Sequence, residues 1–149
     1  MGVEIERKFL VDQKLWKVVQ PNDGKHLKQG YLSHDPSKTI RVRIADDQAF
    51  LTIKNKGNGL KRLEFEYEIP LAEGEELLQN FCQRFIHKMR YEIQFSGKLW
   101  EVDVFITPME GLILAEIELS DEQETFELPN WVTEEVTGNP TYYNANMLL

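Results

Sequence analysis

In eight separate stretches of this chain, charged or polar residues alternate with apolar ones, and nothing else constrains the fold as tightly. Successive side chains of a strand point to opposite faces, so each stretch reads as a strand with one charged and one apolar face. Residues 3–11 set the pattern: Glu4, Glu6 and Lys8 share one face, and Val3, Ile5, Phe9 and Val11 the other. Strands at 25–33, 39–45, 49–56 and 60–69 follow, then 85–95, 99–106 and 112–119. On their charged faces stand Arg41 and Arg43; Thr52 and Lys54; Arg62, Glu64, Glu66 and Glu68; Lys88, Arg90 and Glu92; Glu101 and Asp103; Glu116 and Glu118.

The links are mostly of hairpin length, marked by His34-Asp35-Pro36-Ser37, Gly57-Asn58-Gly59 and Ser96-Gly97-Lys98. Helices are expected in three places. Asp12 caps a short one with the stripe Leu15, Trp16, Val18 and Val19. Pro70 leads into one over 71–83, its stripe Leu77, Leu78, Phe81 and Cys82, and a short apolar helix spans 142–149. Eight strongly twisted strands curl and leave edges to protect, and closure into an antiparallel barrel removes the edges. The expected fold is therefore mainly β, a closed eight-stranded antiparallel barrel with a few outer helices.

The chain has 149 residues, 42% of them hydrophobic, which is enough for one domain with a core of its own. No repeat or linker divides it, so the expected domain runs over 1–149. A net charge of −8 argues against an exposed nucleic-acid footprint. No apolar run approaches the roughly 18 residues of a membrane span, and no signal peptide precedes the first strand. Cys82 is the one cysteine, so no internal disulfide forms, and its apolar neighbours make it a packing residue. A cytoplasmic location is expected. His26, His34 and His87 are scattered, and no zinc site follows from them.

Which face points inward is settled by charge. An apolar interior would leave like-sign pairs ranked along the outside of every strand, which gains little. A charged lumen, with helices over the apolar exterior, explains the pairing. The carboxylates Glu4, Glu6, Glu64, Glu66, Glu101, Asp103, Glu116 and Glu118 then face Lys8, Arg41, Arg43, Lys54, Lys88 and Arg90. Enclosed like charges repel unless a charged guest neutralises them. Six cations suit a polyanion, and arginine's fork matches phosphate oxygens. Clustered carboxylates suit a hard divalent cation such as Mg²⁺ or Mn²⁺. Together they describe a metal–polyphosphate site and phosphoryl transfer to water, without a Walker loop.

Glu4-Ile5-Glu6-Arg7-Lys8 resembles the ExExK signature of the CYTH superfamily, the triphosphate tunnel metalloenzymes. The likeness continues through Gln29-Gly30-Tyr31-Leu32, Arg41-Val42-Arg43, Leu51-Thr52-Ile53-Lys54, Glu64-Phe65-Glu66, Lys88-Met89-Arg90, Glu101-Val102-Asp103 and Glu116-Ile117-Glu118. ExExK alone is a weak pattern, whereas the ordered set is strong. The resemblance implies a tunnel-forming barrel and, for a short chain of this kind, hydrolysis of inorganic tripolyphosphate. By the same resemblance Glu4, Glu6, Glu116 and Glu118 hold divalent metal. Lys8, Arg41, Arg43, Lys54, Lys88 and Arg90 hold phosphate. Glu64, Glu66 and Asp103 orient those cations or a water on the metal, and with Lys8 form the catalytic group.

Thiamine triphosphate hydrolysis, adenylate cyclisation and non-catalytic polyphosphate or nucleotide binding are the alternatives. A thiazolium or adenine ring needs a platform on the inward face, where Tyr31 and Phe105 are the main candidates. Binding alone does not call for so many acids. Glu68, Glu92 and Glu101 are expected at solvated rims, Arg7 on the surface, and Arg62 near a turn with inward parity. A homodimer is the default assembly.

Overall fold

Short turns make each strand the antiparallel neighbour of the one before it, and the same economy closes the ring. In the computed structural model, residues 2–33, 35 and 37–148 are described. Among them the chain forms β1 (Gly2–Val11), β2 (Lys25–Tyr31), β3 (Lys38–Ala45), β4 (Gln48–Asn55) and β5 (Lys61–Ile69). These are followed by β6 (Ile86–Phe95), β7 (Lys98–Thr107), β8 (Ile113–Glu118) and β9 (Val132–Glu135). Helix α1 (Gln13–Val19) follows β1 and α2 (Leu71–Phe81) follows β5; two 3-10 helices, Pro140–Tyr142 and Asn144–Leu148, end the chain. The turn expected at 34–37 falls partly on His34 and Pro36, which lie outside the described residues, as does Leu149 of the expected final helix.

Strand order is β5-β4-β3-β2-β6-β7-β8-β1, and β5 pairs back onto β1, so eight antiparallel strands form a closed barrel. The expected eight strands are all present, with ends shifted by a residue or two. A ninth, β9, was not anticipated. Pairing of β1 with β5 ends at Ile5 opposite Lys61. Beyond it β9 lies along β1, with Phe9 opposite Glu135 and Val11 opposite Val132. Segment 132–135 therefore covers backbone groups that β5 has left.

Most of the apolar core lies outside the barrel wall. Trp16, Trp100 and Trp131 are at most 3% exposed and meet edge to face, with centroids 5.3 Å (Trp16–Trp131) and 5.9 Å (Trp100–Trp131) apart. They pack with Ile5, Phe9, Val102 and Ile117 beneath α1 and the segment before β9. On the far side α2 lies over β3 and β4, burying Leu78 and Cys82 against Val42. Gly74 permits that approach, because a Cβ there would sit 2.5 Å from the Ala49 side chain.

Neither helix buries its whole expected stripe. In α1 only Trp16 is buried, and Leu15, Val18 and Val19 stay exposed, since seven residues present barely two turns to the wall. In α2 Phe81 is exposed, because the helix ends there and turns away at Cys82. The expected final helix is instead two short 3-10 turns, anchored by Leu148. A third sector of the outer wall, carrying Val3, Ile53, Leu63, Phe65 and Tyr67, is exposed and has no covering element among the described residues.

The interior is not charged along its whole length. Leu10, Ile86, Phe105 and Leu114 have the inward parity of Lys8, Lys88, Asp103 and Glu116, but cluster with Tyr31, Val136 and Leu148. One end of the barrel is therefore an apolar plug, capped by the chain's tail.

Candidate functional site

Alternation fixes which side chains point inward; register fixes their heights. Glu4 stands opposite Arg62, and Lys54 opposite Glu64. Thr52 lies between Arg41 and Glu66. On the other side Arg90 faces Asp103, Glu101 faces Glu116, Lys8 faces Glu116, and Glu6 faces Glu118. A cation thus meets an acid on the β1–β5, β4–β5, β6–β7 and β1–β8 pairs, while acid meets acid at Glu6–Glu118, Glu101–Glu116 and Glu92–Glu101, and Lys25 stands opposite Arg90.

The inward side chains line one cavity of about 270 Å³. Of the residues singled out from the sequence, Glu4, Glu6, Lys8, Arg41, Arg43, Lys54, Glu64, Glu66, Lys88, Arg90, Glu116 and Glu118 line it. Asp103, 1% exposed, does not line the cavity itself but lies buried against two of those cations. It accepts from Lys88 at 2.7 Å and from Arg90 in a fork at 2.8 and 2.9 Å. Glu64 lies 3.2 Å from Lys54. Glu66 accepts from Thr52 at 3.0 Å and lies 3.6 Å from Arg41.

The sequence alone leaves some contributors open and omits others. Arg62 lines the cavity and donates to Glu4 at 3.0 Å, so its nearness to a turn did not take it to solvent. Glu101 also lines the cavity and accepts from Arg90 at 3.4 Å. Gln29 is buried and accepts from Arg43 at 2.9 Å. The tail adds Tyr143, Asn144 and Ala145 to the lining. Lys8 donates to the Tyr142 carbonyl, and Lys88 to the Asn144 side-chain oxygen, both at 3.0 Å. No parity signal exists for the tail residues, because they are not on strands. Arg7 points outward as expected, paired with Glu135 at 2.9 Å.

Electrostatics divides the acids into two kinds. Burial alone would raise Glu4, but Lys54 and Arg62 outweigh it and hold the carboxyl at about 2. Asp103 is likewise brought to about 2, its burial outweighed by Arg90 and Lys88. Glu6 moves the opposite way. Burial and the neighbouring carboxyls of Glu116 and Glu4 push it well above the ordinary range. Glu116, its burial opposed by Lys8 and by a hydrogen bond from Glu6, falls well below that range. Glu6 and Glu116 therefore behave as a pair that shares a proton. Burial pushes Lys88 down to about 7 even though Asp103 favours its charged form. Burial, with Arg41 and Arg90 close by, pushes Arg43 down to about 9.

The donor set suits a hard cation: it is all carboxylate oxygen, and the crowded Glu6–Glu116 pair is relieved by positive charge. Among the described residues, though, no three acids converge into a ready-made metal cage. Glu4 is engaged by Lys54 and Arg62, and Glu118 is exposed.

Comparison with known proteins identifies the family and the fold. The CYTH domain family matches residues 2–144. An inorganic triphosphatase of Acetivibrio thermocellus is 46% identical over 149 residues, covering 99% of this chain and 94% of that protein. One from Nitrosomonas europaea is 36% identical, covering 98% and 97%. A crystal structure of an inorganic triphosphatase superposes with a TM-score of 0.67 at 34% identity, covering 98% of this chain and 97% of the other. A putative adenylate cyclase from Bacillus halodurans, 18% identical with a TM-score of 0.64 over 82% of this chain and 84% of the other, shares the fold.

Proposed function

Because this chain belongs to the CYTH family, we propose that it hydrolyses a triphosphate inside the barrel. The substrate is inorganic tripolyphosphate, which one water converts to pyrophosphate and orthophosphate. One observation carries the reading: Lys8, Arg41, Arg43, Lys54, Lys88 and Arg90, drawn from four strands, line one cavity rimmed by carboxylates. A row of this kind matches the several charges of a tripolyphosphate better than any single anion.

The six cations bind the phosphate oxygens. Asp103 fixes Lys88 and Arg90, Glu64 fixes Lys54, and Thr52 with Glu66 fixes Arg41, so these groups are set before the substrate enters. Glu6 and Glu116, with Glu118 and a Glu4 partly released from Lys54 and Arg62, are the residues that would hold Mg²⁺ or Mn²⁺. That ion, when bound, supplies charge neutralisation and an acidified water. Lys8, beside Glu116 on the neighbouring strand, gives up the Tyr142 carbonyl for a phosphoryl oxygen. Together with Glu64, Glu66 and Asp103 it forms the catalytic group.

Thiamine triphosphatase and adenylate cyclase activities find less support. Phe105 is buried under Lys88, whose ammonium lies 5.3 Å from its ring centre. Tyr31 is buried with its hydroxyl accepting from Gln29 at 3.1 Å. Phe105 does not line the cavity, and Tyr31, which does, is only 6% exposed. Phosphate release from tripolyphosphate, thiamine triphosphate and ATP, each with Mg²⁺ or Mn²⁺, tests the choice. Tripolyphosphate is expected to be cleaved fastest, and a preference for either of the others would overturn it.

The chain acts as one catalytic unit, in the cytoplasm, on a small molecule, without nucleic-acid or membrane partners. No helix among the described residues is long and apolar enough to cross a membrane. Its partner is a second copy, docked through the uncovered outer sector. Val3 lies opposite Leu63 and Ile53 opposite Phe65, and the inward parity of the Glu64 and Glu66 carboxylates keeps acid off that face. Light scattering is expected to show a dimer that Phe65→Glu converts to a monomer. A monomeric parent protein would overturn this assembly.

A further inference from the structure

A second cavity, about 850 Å³, lies on the outer wall between the flank of α2 and the outward faces of β2, β3 and β6. Its floor is apolar, formed by Ile44, Leu78 and Phe85; its basic edge is His26, Lys28 and His87. Antiparallel pairing creates that edge. Lys28 sits directly opposite His87, and His26 is opposite Met89, so all three basic side chains leave the sheet on one side. The two imidazoles meet edge to face with centroids 5.6 Å apart. The Lys28 ammonium stands 6.0 Å from the Phe85 ring centre.

None of the three basic side chains is hydrogen-bonded or ion-paired to an acid among the described residues. Asp46 borders the groove, but its carboxylate accepts the backbone N–H of His26 at 3.1 Å. Glu75 is on the opposite lip, on α2. Burial, with Lys28 and His26 beside it, holds His87 below the ordinary histidine range. The Lys28 ammonium and the two imidazole N–H donors beside an apolar floor make a local match for the head of an anion with a greasy body.

We propose that this groove binds an amphipathic organic anion, its aromatic or alkyl body on Ile44, Leu78 and Phe85. Its acidic head, a sulfonate or phosphate monoester, meets Lys28, His26 and His87. The site faces away from the lumen and does not depend on the triphosphatase reading.

The probe is 8-anilinonaphthalene-1-sulfonate, followed by fluorescence with the intact protein. One dye per chain is expected, with binding at least tenfold weaker in Lys28→Glu. Hexyl phosphate should displace the dye and hexanol should not, since only the former carries the head group. Unchanged melting temperature and phosphate release in Lys28→Glu establish that the variant is folded. Phe65→Ser distinguishes the uncovered sector of β4 and β5 as a rival site for the dye. Three results would overturn the proposal: no dye binding, binding indifferent to Lys28→Glu, or binding lost only in Phe65→Ser.

Discussion

Lys88, 1% exposed in the barrel wall, donates its ammonium at 3.0 Å to the side-chain oxygen of Asn144, a residue of the tail. The neighbouring tail residue Tyr142 offers its carbonyl to Lys8. Two lysines assigned to phosphate thus hold oxygens of their own chain, and a triphosphate must displace them. Asn144→Ala removes one competitor for Lys88 without touching the apolar anchor at Leu148. It should lower KM for tripolyphosphate by roughly two- to fivefold, the scale of one hydrogen bond to a charged group that is exchanged rather than lost. Steady-state kinetics check this. Deleting 142–149 is a harsher change, because it uncovers Ile86, Phe105 and Leu114 and should lower the melting temperature as well.

Glu4 and Glu6 share a strand face, yet their isosteric variants should move stability in opposite directions. Glu4 has a folded pKa of about 2 against an ordinary 4.5, so its stabilisation is present above 4.5 and lost as pH falls toward 2. Glu4→Gln leaves Lys54 and Arg62 without their shared acid and should cost about 3 kcal/mol at pH 8. Glu6 has a raised folded pKa, so its contribution is full below 4.5 and is lost as pH rises through the folded value. At pH 8 with a chelator, Glu6→Gln should therefore match or exceed the parent melting temperature. It should also lose the parent's stabilisation by Mn²⁺. Thermal unfolding of the two variants at pH 8 and pH 5 makes the comparison.

Much of this arrangement was legible in the sequence, for a physical reason. A two-residue period assigns each strand residue to a face without any tertiary information, so the inward set from Glu4 to Glu118 followed from alternation and sign. Height along the barrel does not follow from alternation. Leu10, Ile86 and Leu114 share the parity of Lys8, Lys88 and Glu116, but register carries them into an apolar plug. Arg62 is a different case: inward parity and a turn two residues before β5 left its place open between lumen and solvent, and pairing with Glu4 draws it inward. β9 was missed because Val132-Thr133-Glu134-Glu135 is too short and acidic to read as a strand, and it exists only where β5 leaves β1 uncovered. The tail's entry into the cavity rests on Leu148 packing against residues far away in sequence.

Arg43 is crowded by Arg41 and Arg90, and its nearest hydrogen-bond partner is the neutral Gln29. A triphosphate should relieve that crowding. With Ca²⁺ as a non-productive ion, tripolyphosphate at 100 times its dissociation constant should add about 2.7 kcal/mol, or roughly 5–10 °C in melting temperature. Arg43→Ala should shrink that shift while leaving the melting temperature of the empty protein equal or higher. Arg41→Ala should shrink it too, but at some cost to the empty protein, since Thr52 and Glu66 lose their partner. Chloride at matched ionic strength should give a smaller shift in every case.

The central claim is metal-dependent cleavage of tripolyphosphate on the cations of the barrel's interior. Phosphorus NMR of tripolyphosphate incubated with the intact protein and Mg²⁺ or Mn²⁺ tests it most directly, with Lys54→Ala and Arg90→Ala alongside. The expected spectrum shows pyrophosphate and orthophosphate growing in equal amounts, abolished by a chelator and reduced at least a hundredfold in both variants. Undiminished turnover in the variants or in chelator, or tripolyphosphate left intact by the parent protein, would contradict the claim.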